Sequence, residues 1–234
     1  MRKQIFTILF IFLNATHTIA AQNMTISNEG SHLSLLAFDV LSVAYSKLNI
    51  HLDYIKTPAE RSLWMSNTGK TIGESARSKG IEKKYKNLIM ISVPVAHVDL
   101  VGVSKSKKKI KINGWQSLQP YTIGLRRGVK YLEKKTKGMR VQPVANIKQM
   151  LQKVATGRND VAIMSRIAAL VTMKEESITG LTILEPPLER INLYHYLHKS
   201  KKHLLNDITK ILQEMEASGE IQKIQQKSLL KILK

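Results

Sequence analysis

The most constraining feature of the chain is an alternation of two periodicities between residues 24 and 78. Met24-Thr25-Ile26-Ser27 is a short extended run. A turn, Asn28-Glu29-Gly30-Ser31, follows it, and Ser31 is a good N-cap for a helix. Leu33, Leu36, Ala37, Val40, Val43, Ala44 and Leu48 then fall three or four apart, which predicts an amphipathic helix over 32–48. Ile50 to Ile55 alternates apolar with polar and predicts a second strand. Pro58 suits the start of another helix, in which Leu63 and Trp64 are expected to point inward and Asn67-Thr68-Gly69 to supply the stop. Thr71 to Glu74 is again extended, with Arg77 just beyond. Strand, helix, strand, helix in this order predicts an α/β lobe with a largely parallel sheet.

The N-terminus sets the expected compartment. Arg2 and Lys3 precede the apolar run Ile5–Leu13, and Thr18-Ile19-Ala20 places small residues at cleavage spacing. The run is shorter than the roughly 20 residues a membrane span needs, so residues 1–20 are expected to be a secretory signal peptide. The chain has no cysteine. That excludes thiol nucleophiles, Cys-ligated metals and a lipid anchor on a cleavage-site Cys, and the expectation is a periplasmic protein without a lipid tether. Loss of Arg2 and Lys3 takes the formal charge from +20 to +18. Such a field attracts anions without selecting any one of them. Sparse aromatics, the missing zinc-finger and Arg/Gly signatures and the export segment all argue against nucleic acid as the partner.

Further along, 88–104 is strand-rich, with Pro94 expected to break it in two. The lysine-rich stretch 105–111 is expected to be a solvated crossover. Tyr121–Leu125 is a strand leading into Arg126-Arg127-Gly128-Val129. A strand, a Gly turn and a helix N-terminus can form an anion site from free N–H groups, or simply an ordinary βα turn with solvated arginines. Met139–Val144 is a strand, and Asn146 caps a helix whose Ile147, Met150, Leu151 and Val154 form a core stripe. Leu181–Leu184 and Ile191–Leu197 are strands; helices are expected from Leu204 to Met215 and again from Glu220, with Ser218-Gly219 between them. His195 and His198, three apart with no acid nearby, are expected to be structural, with no metal site.

Several of these segments resemble those of extracellular solute-binding proteins of family 3. The Pro58–Leu63 helix start, Gly73-Glu74-x-x-Arg77, the turn-and-strand Gly157-Arg158-Asn159-Asp160-Val161-Ala162-Ile163, and the paired C-terminal helices occur in the family's order. Ser92-Val93-Pro94 stands where the family has an aromatic-flanked Ser-x-Pro, and Trp115–Leu118 resembles its short helix. The resemblance implies a two-lobed, type II periplasmic-binding-protein fold with a ligand cleft between the lobes. Lobe 1 would comprise 21–103 and 192–234, and lobe 2 would comprise 104–191, with crossovers near 101–106 and 188–194.

The resemblance also implies the binding set. Arg77 would clamp a ligand carboxylate, since a guanidinium matches a carboxylate in two parallel hydrogen bonds; otherwise it is a surface ion-pair residue. Glu74 would orient Arg77 or accept from the ligand. Arg126, Arg127 and Gly128 would grip from lobe 2, and Glu29 and Arg61 complete the set with Ser165. Serine at 165, where many amino-acid binders carry Asp for the ligand ammonium, tilts the expectation toward an anionic or non-amino-acid solute. Asp160 is expected to be structural. No catalytic or cofactor motif is present: Gly-x-Ser-x-Gly and His-Glu-x-x-His are missing, and Gly69-Lys70-Thr71 only mimics the end of a P-loop. The expected function is therefore not enzymatic. It is capture of a small polar or anionic, amino-acid-like solute by a monomer that passes it to the membrane permease of an ABC importer, without a cofactor. The alternatives are a divergent sensor subunit signalling to a membrane protein and a cationic envelope-binding protein.

Overall fold

The computed structural model describes residues 22–233; the proposed signal peptide lies outside them. Among the described residues the first half of the chain forms β1 (Gln22–Asn28), α1 (His32–Ser46), β2 (Ile50–Lys56), α2 (Ala59–Asn67), β3 (Gly73–Ser78) and β4 (Leu88–Lys105). The second half forms β5 (Ile123–Arg126), α3 (Lys130–Lys135), β6 (Val141–Val144), α4 (Ile147–Ala155), β7 (Val161–Ser165), α5 (Arg166–Glu175), β8 (Leu181–Ile183), β9 (Glu189–His198), α6 (Leu205–Ala217) and α7 (Glu220–Ile232). The strands share one sheet in the order β2-β1-β3-β9-β4-β7-β5-β6, with β8 also on β4.

Two parallel groups flank a pair of long antiparallel strands. β1 runs parallel to β2 and β3, and β5 runs parallel to β6 and β7. β9 pairs antiparallel with β4 from Leu88 to Leu100; β9 also joins β3 of the first group, and β4 runs on to pair with β7 of the second and with β8. Buried side chains sort accordingly. Ile26, Val40, Leu41, Tyr45, Ile91, Val95, Leu197 and Leu212 belong to one core. Beyond Ala96 on β4, and before Leu193 on β9, a second core begins on both faces of the sheet. On β7, Val161 and Ile163 face one side of it, and Ala162 and Met164 the other, the period-2 alternation of a strand covered on both faces. The mixed α/β architecture is thus two lobes joined through β4 and β9.

The local signals act as expected in most places. Ser31 caps α1 by accepting from Ser34 N, and Asn146 caps α4 by accepting from Gln149 N. Asp160 is structural: it accepts from Thr122 N at 2.8 Å and pairs with Lys108. His195 is fully buried; its Nδ1 lies 2.8 Å from the Glu74 carbonyl and its Nε2 2.9 Å from the Tyr45 hydroxyl. A carbonyl only accepts, so Nδ1 carries the proton and Nε2 receives the Tyr45 O–H. Burial lowers the His195 pKa to about 4 and raises that of Tyr45.

Other expectations are corrected. Pro94 does not divide its segment: β4 runs unbroken for 18 residues. The register with β9 shifts on both sides of Pro94 instead, so the missing N–H is absorbed in an irregularity rather than a break. Trp64 points out, 49% exposed, with Lys70 Nζ 4.3 Å from its ring, while Leu63 alone turns into the core. Arg77 does not follow the extended run but lies inside β3. The lysine-rich stretch sits past the crossing, where Lys105 pairs with Leu181 and Lys108 with Asp160.

Candidate functional site

Parallel strands leave their carboxyl ends and the following turns on one edge, and ligands of open α/β sheets settle there. In lobe 1 that edge is formed by the ends of β1 and β3 and the start of α2. In lobe 2 it is formed by the ends of β5, β6 and β7.

The lobe 1 edge carries three of the expected residues in direct contact. Arg77 donates from Nη1 to Glu29 Oε2 at 2.5 Å, from Nε to Glu74 Oε1 at 3.1 Å, and from Nη2 to the Ala59 carbonyl at 3.2 Å. Glu74 is fully buried and also accepts from the hydroxyls of Ser62 (2.6 Å) and Ser66 (3.1 Å). Burial pushes its carboxyl above the ordinary range, and Arg77 and the two hydroxyls oppose that shift. Glu29 takes a further hydrogen bond from Ser31 Oγ at 2.9 Å. Two carboxylates therefore already face the one guanidinium, and its positive charge is matched from within the lobe. Arg61 does not join this group: it stands exposed on α2, with no hydrogen bond or ion pair to a described residue.

At the lobe 2 edge the β5–α3 turn holds Arg126, Arg127 and Gly128. Gly128 has φ +84°, which glycine adopts without strain. Its N–H, expected to face an anion, donates to Glu133 Oε1 at 2.9 Å. Arg127 N–H is tied to the Val144 carbonyl at 2.8 Å. What the turn leaves free are the Arg126 and Arg127 side chains, both exposed and without an ion pair to a described residue, and of the two only Arg126 lines the cavity between the strand ends. Ser165 ends β7 and caps α5, accepting from Ala168 N at 3.3 Å.

Arg126 and Ser165 open onto one cavity of about 510 Å³. Its walls are Val129, Tyr131 and Leu132 after β5, Ile147 and Met150 of α4, and Ile163 and Met164 of β7. Leu100 of β4 and Ile191 of β9 line it from the crossing strands, and Ser78, next to Arg77, from lobe 1. The volume falls within the ~300–1,000 Å³ typical of small-molecule pockets. No Asp or Glu lines it. Sequence reasoning named Arg126 and Ser165, which open onto this cavity, but missed the apolar walls, which come from five separate segments. The apolar periodicity of β7 and α4 signals burial but does not tell a core face from a pocket face.

Beside the cavity, at the crossing, Asp99 of β4 accepts from Arg190 of β9 through both oxygens, at 2.7 and 2.9 Å. Arg166 of α5 stands 3.5 Å from Asp99 and pairs bidentately with Glu185. Among the described residues no group of three His, Cys, Asp or Glu could hold a metal ion. No described helix is long and apolar enough to cross a membrane.

No protein-family model matches the chain. An uncharacterized protein of Shewanella oneidensis is 27% identical over 193 residues, 79% of this chain and 72% of its own. Among solved structures, the unliganded open L-cystine solute receptor of Neisseria gonorrhoeae superposes with a TM-score of 0.72 at 16% identity, over 89% of this chain and 93% of that one. A histidine kinase sensor domain with similarity to periplasmic binding proteins superposes with a TM-score of 0.63 at 12% identity, over 90% and 97%. At these identities the likeness establishes the fold.

Proposed function

We propose, for a chain with the two-lobed fold of periplasmic solute-binding proteins, that it is a solute receptor: it takes a small molecule into the cleft and presents the closed form to the permease of an ABC importer. The observation that carries this reading is the 510 Å³ cavity at the carboxyl ends of the lobe 2 strands, bordered from lobe 1 by Ser78. A ligand held by both lobes favours the closed arrangement by its differential affinity for it. Arg126 and Ser165 are the groups that meet the solute. Arg77, matched by Glu29 and Glu74, shapes the lobe 1 edge instead of gripping the ligand. Export to the periplasm, action without a cofactor, a monomeric state and a role other than catalysis belong to the same proposal.

The likeness to a kinase sensor domain supports a second reading, in which the same cleft reports occupancy to a membrane signalling protein. A thermal-shift screen of the purified protein against amino acids, organic acids, peptides and sugars, at low and high salt, tests the shared premise. A ligand at 100 times its Kd adds about 2.7 kcal/mol of stability. A shift that survives high salt supports a cleft ligand. Shifts confined to polyanions at low salt would instead support the cationic surface protein. Copurification with a permease or with a sensor kinase separates the two roles.

A further inference from the structure

We propose that the solute selected by this cleft is an apolar monocarboxylate, an aryl- or branched-alkyl acid without an ammonium group; this rests on the solute-receptor reading and names its ligand class. The first ground is the lining. Val129, Tyr131, Ile147 and Ile191 offer hydrocarbon to whatever enters, backed by the buried Leu132, Met150 and Ile163, and each buried methylene of the ligand contributes about 0.8 kcal/mol. A sugar or a charged amino-acid side chain would lose its hydrogen bonds to water against these walls and recover few.

The second ground is charge. Arg126 is the single cationic side chain among the lining residues, no acidic side chain lines the cavity, and Arg126 has no ion pair with a described residue. An entering carboxylate therefore finds a guanidinium that has no ion pair with a described residue, and the Ser165 hydroxyl, which opens onto the same cavity, can donate a second hydrogen bond. An entering ammonium finds no counter-charge. Of the carboxylates around the cavity, Glu29 and Glu74 are engaged by Arg77, Glu189 by Trp115, Tyr131 and Lys135, Asp99 by Arg190 and Glu176 by Lys148, while Glu175 opens onto the adjoining hollow on the other side of Arg126 and Ile147 and not onto this one. A zwitterionic amino acid thus places one charge well and leaves the other unpaired, which disfavours it against the same skeleton lacking the amine. One cation and no anion in an apolar pocket is the complement of one carboxylate on an apolar body.

The test is calorimetric titration of the purified full-length chain with 3-phenylpropanoate, 4-methylpentanoate, the amide of each, L-phenylalanine, L-leucine, L-glutamate and L-arginine. The expected result is that the two acids bind, and that their amides and the matched amino acids bind at least 10-fold more weakly. Arg126→Gln is expected to remove the preference of acid over amide, Arg126→Lys to restore part of it, and Ala168→Trp, which fills the cavity, to abolish binding with the melting temperature kept. Tighter binding of any of the four amino acids than of the acids overturns the ligand class and leaves the receptor reading standing. An acid preference that survives Arg126→Gln overturns the assignment of Arg126. Failure of every probe of both classes to bind overturns the receptor reading and the inference together.

Discussion

Arg77 Nη1 donates to Glu29 Oε2 at 2.5 Å, joining the end of β3 to the turn after β1. With Glu74 on its other side, at 3.1 Å, the guanidinium neutralises a carboxylate that has no access to water. Removal of one member of a buried pair costs more than the pair contributes, because the remaining charge stays buried. Arg77→Met is therefore expected to destabilise the fold by about 3 kcal/mol or more at neutral pH, measured by urea unfolding. The double variant Arg77→Met/Glu74→Gln should recover part of that loss. The sign with pH is fixed by Glu74. Without Arg77 its folded pKa rises further above the unfolded value, so the deficit should shrink as the pH falls toward the ordinary carboxylate range. A deficit independent of pH would remove Glu74 from this account.

His195 provides the second pH-dependent prediction. Its folded pKa of about 4 lies below the ordinary 6.5 because burial disfavours the imidazolium. The unfolded chain therefore binds the proton more readily, and stability from this residue is fully present above about pH 6.5 and declines as the pH falls toward 4. The integrated effect is about 3 kcal/mol. His195→Gln loses stability at pH 7 through its hydrogen bonds to Tyr45 and Glu74, but its unfolding free energy should fall less steeply than wild type between pH 6.5 and 4. Parallel profiles for the two proteins would mean that His195 does not titrate in this window.

Much of the fold was legible because short-range signals and tertiary packing agree. Ser31 and Asn146 cap the helices they precede, the alternation in 50–55 matches β2, and Ser218-Gly219 ends α6. The failures occur where a single residue meets a long-range partner. Pro94 predicts a break only if β4 ends there, yet β9 spans both sides of it. The partners of Arg77 are a further case: nothing local announces that Glu29, 48 positions away, will face it. The cavity is the extreme case, since its walls are assembled from β4, β7, β9, α4 and the β5–α3 turn.

The misassigned side chain of α2 gives a third prediction. Leu63 is buried against Leu88 and Tyr196, whereas Trp64 is half exposed. Leu63→Ala opens a cavity and should cost about 3 kcal/mol. Trp64→Ala removes a half-exposed ring that Lys70 stands over and opens no core cavity, and should cost less than Leu63→Ala although the larger side chain is removed. The ratio of the two in denaturant unfolding checks the orientation of the helix; a larger loss for Trp64 would require α2 to be rotated.

The crossing strands supply the last prediction. Asp99 is buried between two arginines, and the Arg190 hydrogen bonds hold its carboxyl below its ordinary pKa range. His97, two residues earlier, has a pKa lowered first by burial and then by Arg190, while Asp99 alone among its neighbours raises it. Asp99→Ala removes that one opposing charge and leaves Arg190 and Arg166 facing the imidazole. The His97 pKa, followed by NMR titration, should drop further, and stability should fall by about 2 kcal/mol as two charge-assisted hydrogen bonds disappear. Because Asp99 lies on β4 and Arg190 on β9, the loss loosens the pair of strands that any closure of the cleft must bend. Amide hydrogen exchange at 96–100 and 189–193 should rise in this variant while exchange in the β1–α1 core stays unchanged. Protection lost equally in both places would show that Asp99 supports the whole fold and not the crossing.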